Sequence, residues 1–268
     1  MTREGVSLSL KSAWFSKPVS LTHTYQFSSH VNMDLFYCPS LSLSSREVAL
    51  PPEETHHIKR VFRKRAGEQI SLTNGKGTLA TGSIDDVKSQ QVVCRILTTS
   101  QVPAPPEQQI QLVLSTIRPN RMDWAVEKLT ELGVGSIQPI YSEFTSIKTF
   151  KTAHLQKIAV SAMKQSKQAY LPELHAPISF ADWLGGTSFT EDHTLLIAHL
   201  SDASVKMNAI EINDDGVILA VGPEGGFSRA EIDAAQGKGF QPVILSGQIL
   251  RAETAAITAV AQLKLQFQ

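Results

Sequence analysis

Cysteine is scarce in this 268-residue sequence: Cys38 and Cys94 are the only two, and no CxxC pair occurs. Two thiols cannot build the disulfide framework of a small secreted domain, and nothing has zinc-site spacing, so a reducing compartment and no metal are expected. Net charge is missing as well, because 25 Lys and Arg balance 25 Asp and Glu. That excludes a uniformly basic nucleic-acid coat. Apolar runs such as 217–221 fall far short of the ~18 residues of a membrane span, so no membrane contact is expected. The chain also has no GxSxG nucleophile elbow, no HExxH helix and no GxGxxG after a first strand. Readings as an α/β-hydrolase, a zinc protease or a Rossmann oxidoreductase therefore lose their support. With 42% hydrophobic and 19% charged residues, the composition describes a globular, cytoplasmic-type chain with room for one or two cores.

Residues 1–32 differ from the rest. They are rich in serine, carry Arg3, Lys11 and Lys17 against the single acid Glu4, and lack an apolar core of signal-peptide length. They are read as an extension without a role in the chemistry, with Met33 as a candidate start. Pro103, Pro105 and Pro106 stand in a nearly apolar-free stretch and favour extended backbone, which marks 103–109 as a linker. Residues 33–102 read as β-rich. Gln69–Thr73 and Thr78–Ile84 flank Asn74-Gly75, an Asn-Gly hairpin signal, and Gln91–Leu97 is a further strand, together suggesting a small barrel. Residues 110–268 alternate. Strands are expected at 111–117, 136–141, 194–200, 217–221 and 243–246. Helices are expected at 121–132, 151–169, 229–237 and 253–263. Such alternation predicts an α/β fold with a mainly parallel sheet, whose ligands bind beyond the carboxyl ends of the strands.

Three stretches carry candidate chemistry. Gly222-Pro223-Glu224-Gly225-Gly226-Phe227-Ser228 follows a buried strand and opens a helix. Its glycines let a ligand approach the backbone, and Ser228 with Glu231 forms a capping-box pattern. Glu224 among the glycines disfavours a phosphate and favours a ligand with hydroxyls or a positive centre. The second stretch, 245–260, runs from a strand end into a helix flanked by Arg251 and Glu253. An arginine in a first helical turn opposes the helix dipole, so Arg251 is expected to have another partner. The third, 56–65, places Lys59, Arg60, Arg63, Lys64 and Arg65 in ten residues without an acid. A short helix there would bury Ile58, Val61 and Phe62 and expose the bases, the footprint of contact with a nucleic-acid backbone. His56 and His57 point to different helix faces and make a poor metal pair.

Several segments together resemble one family. They are MDLFYCP from Met33, HHIKRVFRKRAGEQISLTNGKG from His56, RMDWAVEKLTELGV from Arg121, AMKQSKQAYLPEL from Ala162, VGPEGGFS from Val221 and ILRAETA from Ile249. The sequence is similar to the RsmE family, bacterial 16S rRNA uracil-N3 methyltransferases of the SPOUT superfamily, from about Met33 to the C-terminus. The resemblance implies a small N-terminal PUA-like β-barrel and a C-terminal SPOUT α/β trefoil-knot domain that binds S-adenosyl-L-methionine and forms a homodimer. It implies a cofactor site lined by Ala198, His199 and Leu200, by Gly222, Pro223, Glu224, Gly225 and Gly226, and by Leu245, Ser246, Gly247, Ile249, Leu250, Glu253 and Thr254. Arg251 is then the candidate catalytic residue. His57, Lys59, Arg60, Arg63, Arg65, Lys164, Gln165 and Lys167 are candidates for contact with 16S rRNA in the small ribosomal subunit. Two departures each remove an arginine found in many relatives, leaving Gln168 and Gln248 in their places and Lys164 or Lys167 as substitute bases. Two other classes remain: a binding module that kept the fold without catalysis, and a different α/β enzyme using a nucleotide cofactor.

Overall fold

The structure, a computed structural model, describes residues 33–87, 91–201, 204–212 and 216–267. The extension at 1–32, with Arg3, Lys11 and Lys17, lies outside the described residues.

The first unit comprises β1 (Leu35–Tyr37), β2 (Glu47–Ala49), a short helix α1 (Pro52–His56), β3 (Gln69–Thr73), β4 (Thr78–Asp86) and β5 (Val93–Gln101). The strands form one sheet in the order β1-β3-β4-β5-β2, antiparallel except for the β1/β3 pair. The hairpin falls where Asn-Gly places it. Asn74 Oδ1 accepts from the Lys76 and Thr78 amides at 2.8 and 3.1 Å, and Gly75 and Gly77 take the positive φ of 70° and 89° that the turn demands. Phe36, Leu50, Ile58, Ile70, Leu72, Ile84 and both cysteines pack into this unit's own core. β5 runs four residues beyond Leu97. Thr98–Gln101 pair with β4, so the ladder continues almost to the first proline.

The basic stretch departs from expectation. The backbone over His57–Phe62 is π-helical, with the Arg63 and Lys64 amides both bonded to the Ile58 carbonyl. Each residue of such a turn advances less far around the axis than in an α-helix, so α spacing no longer defines a face. Only Ile58 is buried, while Val61 and Phe62 are 63% and 45% exposed.

The second unit carries β6 (Ile110–Ser115), α2 (Pro119–Leu132), β7 (Ser136–Tyr141), α3 (Thr152–Gln165), β8 (Glu173–Leu174), β9 (Ile178–Ser179), α4 (Phe180–Gly186) and β10 (Thr194–Ala198). It continues with β11 (Val205–Lys206), β12 (Val217–Val221), α5 (Arg229–Gln236), β13 (Gln241–Ile244) and α6 (Ala252–Lys264). Every strand pair in its sheet is parallel, in the order β11-β13-β10-β12-β6-β7-β8, with β9 also on β7. Parallel strands need crossovers on the sheet faces, and both faces are covered. Leu112, Leu114, Leu196 and Leu219 pack with α2, α3 and α6, whereas Val113, Ile197, Ile218 and Ala220 pack with α4 and α5. α6 is apolar around much of its circumference, yet seven of its residues are already buried within the chain. A second copy is not needed to cover them. α2 stops at Gly133 with φ 86°, and the Gln168 amide caps its last turn by donating to the Thr130 and Glu131 carbonyls at 3.0 and 2.6 Å.

A polar seam joins the units. The Gly77 amide donates to the Ala169 carbonyl (3.0 Å) and the Leu171 amide to the Gly75 carbonyl (2.9 Å). Lys164 Nζ lies 2.6 Å from the buried Glu54. Lys157 reaches Glu53 at 2.5 Å, and that contact holds the Glu53 carboxyl below its ordinary range.

Burial in the first core pushes the Cys94 thiol up to about 12. At pH 8 its thiolate fraction is then on the order of 10⁻⁴. Cys94 is expected to resist iodoacetamide in the native protein and to react in urea, as read by peptide mass spectrometry. Native alkylation at the rate of a free thiol would mean that this core opens.

Candidate active site

Because the strands are parallel, their carboxyl ends share one edge, and β13, β10, β12, β6 and β7 deliver their following loops there side by side. His199 extends the ladder past β10, its amide donating to the Val243 carbonyl at 3.1 Å. Ala198 and His199 are half-buried and Leu200 is exposed. After β12 the chain turns tightly, with the Gly226 amide on the Pro223 carbonyl at 2.9 Å. The left-handed position in this loop is Gly226, at φ 72°, and not Gly225. A Cβ on Gly225 would instead lie 3.0 Å from Phe144 Cβ in the loop after β7. Ser228 and Glu231 form the expected capping box, and Glu231 Oε1 also accepts from the Glu143 amide at 2.8 Å. One helix start thereby anchors two of the loops.

After β13, Leu245 is held by the Gln262 amide on its carbonyl at 3.0 Å. The Gln248 amide bonds Ser246 Oγ at 3.2 Å. Ser246 and Leu250 are half-buried, Gly247 is exposed, and Ile249 is 89% exposed. A Cβ added at Gly226 or Gly247 would meet nothing within 4 Å, so open space borders the backbone of both loops. Glu253 and Thr254 occupy the first turn of α6, where a carboxylate suits the helix dipole. Arg251 lies just outside the first helical turn, where its conflict with the dipole would arise. It is the N-cap of α6, with extended backbone and no side-chain cap bond. Its exposed side chain has no hydrogen bond or ion pair among the described residues.

The sequence reading missed Arg121. From the start of α2, its Nη1 lies 2.7 Å from Glu224 Oε1 and its Nε lies 3.5 Å from Glu253 Oε1. One guanidinium therefore joins the glycine loop to the start of α6. Glu253 is 5% exposed, and its Oε2 has no hydrogen-bond partner. A buried carboxylate oxygen without a donor is costly, and its position beside both loops suits a ligand that brings one. The available signal was an arginine in the first turn of a helix, the same dipole conflict noted for Arg251.

The candidate RNA contacts divide. Arg60, Arg63 and Arg65 are exposed, and their guanidinium groups have no hydrogen bond or ion pair among the described residues, although the Glu68 carboxylate accepts from the Arg65 backbone amide at 2.8 Å. Lys59 is half-buried and Gln165 is exposed. Lys164 does not stand free as a substitute base. It is committed to Glu54 and lies 3.5 Å from Nδ1 of the half-buried His57. Lys167, at φ 58°, donates to the Met33 carbonyl at 2.7 Å. Both lysines serve the seam between the units. A cavity of about 290 Å³ near Phe189, His193 and Lys238 opens where β10 and β13 begin, at the opposite edge from the loops.

Residues 104–264 match the RNA methyltransferase domain family, and residues 50–97 match the RNA methyltransferase PUA domain. A ribosomal RNA small subunit methyltransferase E from Neisseria gonorrhoeae, solved bound to S-adenosylmethionine, is 32% identical. The match covers 87% of this chain and 97% of that one, at a TM-score of 0.79. The chain belongs to the RsmE family of RNA methyltransferases. A Legionella pneumophila methyltransferase solved with bound SAM superposes equally well, at TM-score 0.79 and 32% identity over 88% of this chain and 98% of that one. A Synechocystis ribosomal RNA small subunit methyltransferase E is 29% identical over 222 residues, covering 81% of this chain and 72% of the relative. This RsmE-family chain therefore has the expected two-unit fold, a PUA-type sheet followed by the parallel sheet of a SPOUT methyltransferase.

Replacing Arg121 by Met leaves the Glu253 carboxylate buried without its cation. Urea unfolding is expected to show a loss of about 1–3 kcal/mol. Glu224→Gln breaks only the more exposed contact and should cost under about 1 kcal/mol. Equal losses from the two variants would mean that Glu253 does not depend on Arg121.

Proposed function

We propose that this protein transfers the methyl group of S-adenosylmethionine to N3 of a uridine in 16S rRNA of the small ribosomal subunit. The observation that carries the reading is the meeting of the loops after β10, β12 and β13 at one sheet edge, together with a buried carboxylate oxygen there, Glu253 Oε2, that lacks a donor. The residues suit the cofactor. The backbone at Gly226 and Gly247 borders open space, and Glu253 has an unused acceptor for a hydroxyl or ammonium group. Ala198–Leu200, Gly222–Gly226, Leu245–Leu250, Glu253 and Thr254 would hold it. When bound, the cofactor supplies a sulfonium-activated methyl group.

The protein's own task is largely positioning. Uracil N3 lies on the Watson–Crick edge, so the target base has to be unpaired or flipped out of its stack. Before N3 can accept a methyl group it has to lose its proton, to water or a base at the site, and the negative charge this leaves on N3 is shared with the two uracil oxygens. Arg251, exposed at the loop edge with no partner for its guanidinium among the described residues, is a group available to stabilise that charge. Arg60, Arg63 and Arg65 would hold phosphates, and Lys164 would keep the PUA-type unit in register with the catalytic one. Among the described residues no helix is long and apolar enough to cross a membrane, and a ribosomal RNA substrate would suit work in the cytoplasm.

Mass spectrometry of rRNA nucleosides from cells with and without the gene is expected to show loss of one 3-methyluridine. Arg251→Ala should cut single-turnover methylation by a factor on the order of 10²–10³ with cofactor affinity largely kept. Wild-type turnover in that variant would remove Arg251 from the site.

The working form is proposed to be a homodimer through the second unit. Leu200 and Ile249, on the loops after the neighbouring strands β10 and β13, are 61% and 89% exposed, and apolar groups so placed favour cover by another surface. Sedimentation at micromolar concentration is expected to give twice the chain mass; a monomer mass would exclude this form.

A further inference from the structure

The π-helical turn at His57–Phe62 places two apolar side chains, Val61 and Phe62, on the surface. The same turn is followed by Arg63 in the left-handed region, with φ 52°, a conformation uncommon for a residue with a Cβ. Their α-helical spacing with Ile58 predicts cover for both side chains, whereas the π turn leaves them exposed. π-turns of this kind recur at functional sites. Phe62 is nevertheless held in place. Its ring meets Phe36 at a centroid distance of 5.4 Å and an interplanar angle of 73°, and Lys64 just beyond is tied to Asp34 at 2.9 Å. Within three residues of it in the chain stand Arg60, Arg63 and Arg65, exposed and with guanidinium groups that have no hydrogen bond or ion pair among the described residues; the Glu68 carboxylate meets only the backbone amide of Arg65.

We propose that Phe62, with Val61 beside it, is a stacking platform for an unpaired base of the RNA substrate, while Arg60, Arg63 and Arg65 take the flanking phosphates. This rests on the reading of the protein as an RNA methyltransferase and assigns a base contact to a stretch whose charges alone indicate only backbone contact. An aromatic ring set among cations matches a single strand, which offers a base face every few ångströms along a chain of phosphates. A duplex hides its base faces, and an apolar protein partner would have to strip water from three guanidinium groups without supplying an opposite charge. Because Phe36 already fixes the ring, little side-chain freedom remains to be lost on stacking.

Fluorescence anisotropy with a single-stranded 16S rRNA fragment, a duplex of equal length and the full-length protein tests the assignment. Phe62→Leu is expected to weaken single-strand binding about 10-fold with an unchanged salt slope, and Phe62→Tyr to restore it. The Arg60→Ala, Arg63→Ala, Arg65→Ala triple variant should instead lower the slope by about 0.7 per lost phosphate contact. Unaltered melting temperature and cofactor affinity identify a correctly folded Phe62→Leu protein. Wild-type single-strand affinity in that folded variant overturns the proposal, as does an equal loss on duplex. A change in sedimented mass without a change in RNA affinity also overturns it and marks a protein-docking surface. Failure of the catalytic reading has a different signature: the wild-type protein would bind this RNA without methylating it, and the Phe62 comparison would still be decisive.

Discussion

The parallel register of β13, β10, β12 and β6 is the constraint on which the rest of the molecule depends. A parallel ladder cannot be closed by tight turns, so each strand is followed by a crossover that returns over a sheet face. Both faces are consequently filled with helices, and every loop leaving a carboxyl end emerges at one edge. The glycine loop at 222–226 and the loop at 245–250 become neighbours for that reason, although about twenty residues and a helix separate them in the chain.

Adjacent loops still have to be held at a fixed distance, and charge does this here. Arg121 reaches from the start of α2 to Glu224 on one loop and to Glu253 at the start of α6. Glu231 does similar work with the backbone, closing its own capping box and accepting from the Glu143 amide. The same device fixes the two units of the chain, where Lys164 and Lys157 of α3 meet Glu54 and Glu53 of α1. A buried pair such as Lys164–Glu54 adds little net stability over an apolar contact, but loss of either partner strands the other charge. Its value lies in register. It sets where the basic π-turn stands relative to the cofactor edge.

Division of labour follows. The second unit presents backbone, a buried carboxylate and the Arg251 guanidinium, unpaired among the described residues, at the edge where the methyl donor and the base would meet. The first unit presents an exposed ring and arginines whose guanidinium groups are unpaired among the described residues. The seam consumes cations that a reading by charge alone assigns to RNA, since Lys164 and Lys167 are both engaged within the chain.

Periodicity made much of this fold legible. Met122, Val126 and Leu129 announced α2, Asn74-Gly75 announced the β3–β4 hairpin, and the run at 217–221 coincided with β12. Local chemistry also marked the glycine loop and its Ser228 cap, because both depend on residues a few positions apart. Three features did not follow from local pattern. The apolar spacing of Ile58, Val61 and Phe62 assumed an α turn, while the chain took a π turn that buries one of them. Arg121 looked like an ordinary surface arginine until α2 and α6 were side by side. Lys164 looked free until α1 was laid against α3. For the two cations the deciding partner lies far away in the chain, and spacing between near neighbours carries no information about which distant groups the packed sheet and its crossovers bring within reach.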